Sequence, residues 1–291
     1  MEEAISKAEA LIEALSYIQR FHNKVVVVKV GGSIMDDEQA LCNILTDIVF
    51  MNYVGLQPVL VHGGGKAINV AMERAGLVPQ MVQGRRYTDE RVLAIAEHVL
   101  CNEINRFIVN FIQAQGCDAM GLHSLSSVVL FAEKMLLKGE DGRQIDIGLV
   151  GEVKSVNARL LQLLVQADSI PCIATIARDA AGQRLNVNAD TAAGAVAAAM
   201  KAEKLVIVSD THGIRARPKD PDSLLSSVNV AQIEEMVRSG VISGGMLPKV
   251  EACITALRAG VNKTHIIDGR IPHSLLLEIY TQAGIGTEIV L

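Results

Sequence analysis

Short, continuously apolar segments alternate along this chain with segments of helical period, and this alternation constrains the fold more than any other feature. The apolar runs at 24–30, 58–61, 170–176 and 204–208 are rich in valine and isoleucine. Strands that are apolar along their whole length are buried on both faces, which is typical of parallel strands joined through helices. The sequence therefore predicts an α/β fold, with a mostly parallel open sheet sandwiched by helices.

The composition limits the class of partner. Half of the 291 residues are hydrophobic, 20% are charged, and the net charge of −5 includes no block of either sign. Nucleic acids and anionic membranes bind clusters of basic residues, so we expect neither as a partner. No apolar run approaches the roughly 20 residues that span a bilayer. The five cysteines form no CxxC pair, and the chain does not open like a signal peptide, so a cytoplasmic protein is expected.

An amphipathic helix is predicted ahead of the first strand. Ala4, Ala8, Leu11, Leu15 and Ile18 recur at spacings of three and four, which places them on one helical face. Two interpretations are open: the helix packs on its own domain, or it contacts another subunit. The charged fraction lies somewhat below the usual quarter, and this favours an oligomer.

Two of the predicted strands end in glycine, at Lys29-Val30-Gly31-Gly32-Ser33 and at Val61-His62-Gly63-Gly64-Gly65. Ligands of open α/β sheets bind beyond the carboxyl ends of the strands, and glycine lets a phosphate approach the backbone closely. The common nucleotide motifs do not fit. Ala67 replaces the hydroxyl residue of a P-loop, Ile68 replaces a glycine of the dinucleotide fingerprint, and the protein kinase motifs are missing.

Two further polar segments are candidates for function. Asn186, Asn188 and Asp190 alternate and would face the same way in an extended segment, and Asp190 is also placed to cap the following helix. Capping does not account for the two asparagines. The glycine-rich segment 244–249 brings Lys249 to a helix start, where the macrodipole disfavours a cation. An anion is therefore predicted near Lys249.

Six segments together resemble the N-acetyl-L-glutamate kinases of the amino acid kinase family. They span nearly the whole chain and read VVKVGGS, VLVHGGG, GRRYTD, NVNAD, GVISGGMLPKVE and HIIDGR. The resemblance implies transfer of the ATP γ-phosphate to the side-chain carboxylate of N-acetyl-L-glutamate, the second step of arginine biosynthesis. It also implies an oligomerisation helix at 1–22, a substrate lobe at 23–183 and a nucleotide-binding lobe at 184–291.

The resemblance also implies roles for single residues, by matching position. Lys29 and Lys249 would be the catalytic cations, with Asp190 between them to orient them. The substrate-binding residues would be Gly64, Gly65, Arg86, Asn186 and Asn188. The nucleotide-binding residues would be Gly32, Asp210, Thr211, His212, Gly213, Ile214, Arg215, Val241, Ile242 and Ser243. Mg²⁺ would be held by the ATP phosphates, without a metal site on the protein.

Elementary chemistry agrees with that reaction. An acceptor carboxylate has a pKa of about 4.3 and is already ionised at neutral pH, so it needs no general base. None of the seven histidines forms a sequence motif with a carboxylate partner. Phosphoryl transfer then depends on positioning and on stabilising negative charge, which lysines and glycine N–H groups supply.

The resemblance further implies regulation. Family members that carry an N-terminal helix are inhibited by arginine and form hexamers, built as trimers of dimers. By resemblance, Tyr17, Lys204, Glu278 and Gly286 would line the arginine site. The chemistry suits a guanidinium ligand, because Glu278 can pair with it. We therefore expect L-arginine as an inhibitor and a homohexamer.

The chain departs from the family pattern in three places. Residues 121–127 read GLHSLSS where the family usually has Gly-Leu-Ser-Gly-x-Asp-Gly, and Lys66 and Arg85 replace residues that are usually uncharged. Two alternatives remain beside acetylglutamate kinase. One is a sister kinase acting on aminoadipate or carrier-bound glutamate, which Arg86 and Asn188 disfavour. The other is a non-catalytic regulator, which would have no use for two converging lysines.

Overall fold

The computed structural model describes residues 1–139, 142–281 and 284–291. Its helices are α1 (Glu2–Phe21), α2 (Glu38–Tyr53), α3 (Gly65–Arg74), α4 (Glu90–Glu97), α5 (Arg106–Ala114), α6 (Ala158–Gln166), α7 (Ala189–Met200), α8 (Val230–Arg238), α9 (Met246–Arg258) and α10 (Ser274–Tyr280). Within these described ranges, no helix has the length and apolar character that a membrane crossing requires.

The strands are β1 (Val25–Val30), β2 (Gln57–His62), β3 (Met81–Val82), β4 (Arg85–Arg86), β5 (Ala119–Leu122), β6 (Leu130–Lys138), β7 (Gln144–Val156), β8 (Ile170–Ala174), β9 (Ile176–Arg178), β10 (Arg184–Val187), β11 (Lys204–Ser209), β12 (Ser227–Asn229), β13 (Lys263–Asp268) and β14 (Thr287–Val290). The 3₁₀ turns are Gly32–Asp36 and Pro221–Ser223. A π-helical segment, His98–Asn105, joins α4 to α5.

Eight strands form one sheet in the order β12-β14-β13-β11-β1-β2-β8-β5. All neighbours from β13 to β5 are parallel, β14 runs antiparallel to β13, and β12 is parallel to β14. Successive residues of β1 point to opposite faces. Val27 joins one buried apolar cluster, and Val26 and Val28 join another. The predicted α/β fold with a mostly parallel sheet is confirmed, and both faces of the central strand are covered.

Four other strands form a second layer, whose closure into a barrel the sequence did not predict. Strands β10, β7, β6 and β9 close into a small barrel. The predicted strand at 170–176 is broken at Thr175, where the chain leaves the parallel sheet after Ala174 and enters the barrel at Ile176. Apolar periodicity could not reveal this break, because residues on both sides of Thr175 are buried.

Helix α1 is confirmed, but most of its apolar face lies uncovered. Leu11 is 67% and Ile12 is 70% exposed, whereas Phe21 is buried in the core. Tyr17 and Ile18 are partly buried against the same apolar cluster. Packing on its own domain therefore holds only for the last turn of α1. The side chain of Ala4, which the sequence placed on this face, lies outside the described side chains.

Helices α7 and α9 cross at a close contact. A Cβ atom added at Gly194 of α7 would lie 2.9 Å from the carbonyl oxygen of Ala252 on α9. Position 194 therefore accommodates only glycine, and the contact sets the distance between the two helices.

We expect Gly194→Val to destabilise the protein by about 1–3 kcal/mol, because the added side chain overpacks the crossing. Urea unfolding measures this loss. The matched control is Ala195→Val, on the half-exposed face of α7, which costs only a few tenths of a kcal/mol through the lower helix propensity of valine and introduces no clash. Equal losses in the two variants would contradict the packing argument.

Candidate active site

A cleft of about 190 Å³ opens where the two glycine turns meet the barrel, at the carboxyl edge of the sheet. It contains most of the residues that the sequence predicted for catalysis and substrate binding. The predicted residues that line it are Lys29, Gly32, Gly64, Gly65, Arg86, Asn186, Asn188 and Asp190. Those that the sequence did not single out include Met81, Leu100, Val150 and Thr175.

A buried carboxylate holds two lysines together at this cleft. Asp190 Oδ1 lies 2.7 Å from Lys29 Nζ, and Asp190 Oδ2 lies 3.3 Å from Lys249 Nζ. Lys29 is 4% and Asp190 is 6% exposed. Two ammonium groups share one carboxylate, so the cluster carries a net positive charge toward the cleft. This is the anion that the sequence predicted near Lys249.

The fold brings the three groups together through the helix crossing. Asp190 lies one helical turn before Gly194 on α7, and Lys249 lies one turn before Ala252 and Cys253 on α9. Residues three and four apart share a helical face. Both side chains therefore extend from the crossing toward the cleft, and there they meet Lys29 from β1.

The cluster shifts the pKa values of its own members. Burial lowers the pKa of Lys29, Lys249 lowers it further, and Asp190 acts in the opposite direction. Burial alone would raise the pKa of Asp190, yet the two lysines hold it below its ordinary value. Asp190 is therefore ionised at neutral pH and serves the two cations as their counter-charge.

Neighbouring side chains lie close to the backbone of the two glycine turns and leave no room for a Cβ atom at Gly31 or Gly64. A Cβ at Gly31 would lie 2.5 Å from Lys29 Nζ, and one at Gly64 would lie 2.5 Å from Ile104 Cδ1. Gly32 has a φ of +68°, in the left-handed region that favours glycine. A Cβ at Gly65 would meet nothing within 4 Å, so the start of α3 stays open to a ligand. The turns leave backbone N–H groups available to anionic oxygens.

Two arginines and two amides also line the cleft. Arg86 donates to the carbonyl oxygen of Gly65 at 2.9 Å, and burial lowers its pKa. Asn186 donates to Thr88 Oγ1 at 3.2 Å. Arg85, which the sequence noted as a departure, also lines the cleft.

The structure corrects the predicted cap of α7. Asn188, not Asp190, caps the helix, because Asn188 Oδ1 accepts from the backbone N–H of Thr191 at 3.0 Å. Asp190 is the second residue of α7, and the extended segment ends at Val187. Capping thus accounts for one asparagine after all, and the Nδ2 group of Asn188 is the part of its amide that remains for a ligand.

A second cavity of about 350 Å³ contains nine of the ten residues predicted to bind nucleotide. They are Asp210, Thr211, His212, Gly213, Ile214, Arg215, Val241, Ile242 and Ser243. Gly32 lines the first cleft instead, but a Cβ there would lie 3.8 Å from Asp210 Oδ1, so it stands between the two spaces. Arg270 was missed. It pairs with buried Asp268 at 2.6 Å, and Asp268 also contacts His212 at 3.1 Å.

A third cavity of about 370 Å³ lies between the end of α1, the end of α10 and the sheet. Tyr17, Lys204 and Glu278 line it. Gly286 contributes through its backbone, whose N–H donates to Glu278 Oε2 at 3.0 Å. His265 also lines this cavity, but the sequence did not single it out, although it belongs to the segment HIIDGR. Its Nε2 lies 3.0 Å from Lys204 Nζ.

Histidines form contacts with carboxylates in the structure, although the sequence shows no motif that pairs them. Histidine–carboxylate contacts do occur, between residues far apart in the chain: His265 with Glu278, His273 with Asp47, and His212 with Asp268. No histidine is among the described residues that line the first cleft. The pairs belong to the other two cavities and to the base of α10.

One buried histidine supports the second glycine turn from behind. His62 is fully buried, its Nε2 lies 2.9 Å from Asn105 Nδ2, and its Nδ1 lies 3.2 Å from the Gly63 carbonyl oxygen. These contacts fit a neutral imidazole with its proton on Nδ1. Burial lowers the pKa of His62 to about 4.

Comparison with known proteins gives consistent matches. The model of the amino acid kinase family matches residues 24–268. An acetylglutamate kinase of Symbiobacterium thermophilum is 46% identical over 290 residues, covering 99% of both chains. One from Methanococcus maripaludis is 46% identical over 291 residues, again covering 99% of each.

Among solved structures, N-acetylglutamate synthase from Neisseria gonorrhoeae, complexed with coenzyme A and N-acetyl-glutamate, superimposes with a TM-score of 0.86 at 22% identity. The match covers 98% of this chain but 63% of the synthase chain. This chain therefore spans less than two thirds of the synthase, and the likeness is one of fold.

We expect the buried imidazole to make stability depend on pH. The pKa of His62 is about 4 in the folded chain and about 6.5 when unfolded. The unfolded chain takes up this proton first as the pH falls, so stability is lost between pH 6.5 and 4. Between pH 7 and 5 the loss is about 2 kcal/mol. Urea unfolding of wild type and His62→Gln at both pH values measures it.

The variant should lack this part of the pH dependence. His22→Gln, at an exposed histidine, serves as the control and should follow wild type. If His62→Gln and wild type lose the same stability on acidification, His62 is not the group responsible.

Proposed function

The chain belongs to the amino acid kinase family, and we propose that it transfers the γ-phosphoryl group of ATP to the side-chain carboxylate of N-acetyl-L-glutamate. The product is N-acetyl-L-glutamyl 5-phosphate, an intermediate of arginine biosynthesis. The observation that carries the proposal is the pair of lysines held on Asp190 beside two glycine turns, in a chain 46% identical over its length to acetylglutamate kinases.

The reaction needs charge stabilisation more than proton transfer. The ionised acceptor oxygen attacks the γ-phosphorus, the new O–P bond forms, and the bond to the bridging oxygen of ADP breaks. Negative charge spreads over the phosphoryl oxygens in the transition state. Lys29 approaches from β1 and Lys249 from α9, so the two cations can meet this charge from two directions. The N–H groups of the glycine turns add to the stabilisation.

Asp190 sets the position of both cations. Without its carboxylate the two ammonium groups would repel each other, and burial would favour loss of a proton from Lys29. The roles proposed for the three residues differ accordingly: Lys29 and Lys249 contact the transferred group, and Asp190 acts by orienting them.

The acceptor would lie with its charged end at Arg86. This half-buried guanidinium suits the α-carboxylate, and a bidentate pair would also fix the orientation of the substrate. The amides of Asn186 and Asn188 also line the cleft and suit the acetamide group. We propose Gly64 and Gly65 as contacts to the acceptor.

ATP would occupy the second cavity, with its phosphates directed past Gly32 toward the first cleft. Mg²⁺ would enter as the Mg–ATP complex. The described residues include no cluster of three or more His, Cys, Asp or Glu that could hold a metal ion, and Asp190 is already paired with two lysines. The phosphate oxygens and water are therefore the proposed ligands. The five unpaired cysteines suit a reducing cytoplasm.

We propose the third cavity as a site for L-arginine. The carboxylates of Glu203, Glu278 and Glu288 line it and suit a guanidinium ligand. The uncovered apolar residues of α1 suit contact with a second copy of the chain, and α1 also supplies Tyr17 to the cavity. A hexamer that assembles through α1 would thus couple assembly to inhibition.

Hydroxylamine trapping with Mg–ATP tests the reaction, because it detects an acyl phosphate directly. We expect a hydroxamate from N-acetyl-L-glutamate and none from glutamate, aspartate or aminoadipate. Hydroxamate from aminoadipate instead would favour the sister kinase, and nucleotide binding without any hydroxamate would favour the regulator.

Lys249→Ala tests the role of the second cation. We expect kcat to fall about 100-fold or more, with KM for ATP changed by less than about threefold, because the contact strengthens in the transition state. The control is Lys24→Ala, which removes an exposed lysine at the opposite edge of the sheet. Comparable losses in kcat and in ATP binding would assign Lys249 to binding alone.

Deletion of residues 1–22 tests the regulation. We expect loss of the hexamer in analytical ultracentrifugation and loss of arginine inhibition, with the kinase reaction retained. Leu11→Glu is the matched variant, since it disrupts the uncovered apolar face but keeps Tyr17 in the third cavity. Full arginine inhibition of a truncated dimer would contradict the proposal.

A further inference from the structure

The unusual segment 121–127 is joined to the wall of the active-site cleft through one buried carboxylate. Glu97, the last residue of α4, accepts a hydrogen bond from Ser124 Oγ on Oε1 at 2.6 Å. Its other oxygen, Oε2, is paired with Arg184 on β10. Ser124 is fully buried and Glu97 is 6% exposed. The hydroxyl that bonds Glu97 belongs to the segment where this chain departs from the family pattern.

Further contacts make the segment 123–127 rigid. The Ser124 carbonyl oxygen accepts from Arg178 on β9 at 2.6 Å, and Arg178 stands opposite Arg184 in the antiparallel register of β9 and β10. Ser126 Oγ donates to the Gly121 carbonyl oxygen at 3.0 Å. The segment is therefore held internally, against β9 through Arg178, and through Glu97 to β10.

Strand β10 is held at two points by opposite ends of α4. Arg184 pairs with Glu97 at the carboxyl end of α4, and Asn186 donates to Thr88 just before its amino end. Residues 184 and 186 lie on the same face of the strand, because side chains alternate with a period of two. Asn186 lines the cleft, so whatever fixes Arg184 also fixes the amide two residues further on.

We propose that Ser124, Glu97 and Arg184 are positioning residues for the acceptor, acting on the cleft through Asn186. The inference rests on the proposed function, and it names the end of the acceptor that is affected: the part bound by β10, away from the transferred phosphoryl group. A hydrogen-bonded charge pair between α4 and β10 restrains the strand in register and in distance from Arg86. The departure at 121–127 then supplies, through Ser124, the donor that keeps Glu97 in place.

Arg184→Met and Arg184→Lys test this, and the melting temperature of each variant is measured alongside its kinetics, because Arg184→Met leaves the buried Glu97 carboxylate without its cation. For Arg184→Met we expect KM for N-acetyl-L-glutamate to rise about tenfold, since a bond to a charged partner is lost. We expect kcat and KM for ATP to stay within about twofold, because the lysine cluster is untouched. Arg184→Lys retains the charge and should recover part of the affinity.

Ser124→Ala tests the link to the unusual segment. It should raise the same KM by about threefold or more, because Glu97 Oε1 loses its donor. Ser223→Ala is the control. It also removes a buried hydroxyl, one that donates to the Asp220 carbonyl oxygen at 2.7 Å, and it should lower the melting temperature without changing KM for the acceptor.

The outcomes separate this inference from the proposed function. Hydroxamate formation by wild type, together with an unchanged acceptor KM in Arg184→Met and Ser124→Ala, would overturn the inference alone. A fall in kcat with both KM values unchanged would indicate a merely structural role and would overturn it as well. Absence of hydroxamate from wild type would overturn the proposed function and the inference with it.

Discussion

The attraction between one buried carboxylate and two lysines is the interaction on which the rest of the active-site architecture depends. Two ammonium groups repel each other, and burial penalises the charge of Lys29, so the two lysines stay close only with Asp190 between them. Each member comes from a different element: β1, α7 and α9. The pairing of β1 within the sheet and the close crossing at Gly194 therefore serve the same purpose, which is to bring three charges to one point.

The sequence predicted the sheet well and the barrel poorly, for physical reasons. Strands such as β1 and β11 are buried on both faces, and a continuous valine-rich run marks them without ambiguity. Strand β10 has four residues and carries the same polar side chains that make the cleft, so its composition resembles a loop. The break at Thr175 lies inside a continuous apolar run, so the hydrophobic periodicity of the sequence does not reveal it.

The residues of the candidate site were likewise singled out from the sequence only in part. Lys29 and Lys249 stood out because a lysine beside a glycine turn and a lysine at a helix start are unusual in sequence, and Asp190 stood out in an alternating polar segment. Their roles were implied by the family resemblance, and the structure brings the three side chains together. Asn188 was singled out as a candidate for ligand binding, but the helix cap that it forms was assigned to Asp190, since the register of a helix start is not fixed by composition. Histidine–carboxylate pairs such as His265 with Glu278 were missed, because partners from different elements leave no local signal.

The single-residue passage at Thr175 has a consequence for how such a site can change. The glycine turns belong to the hydrogen-bonded sheet, whereas Asn186 belongs to the hydrogen-bonded barrel. In the proposed binding mode, the two ends of the acceptor would therefore contact two separately hydrogen-bonded layers, which are joined where the chain crosses between them. An acceptor longer by one methylene could be accommodated by a displacement of one layer relative to the other. The strand pairing inside each layer would remain intact, and the geometry at the transferred phosphoryl would be preserved.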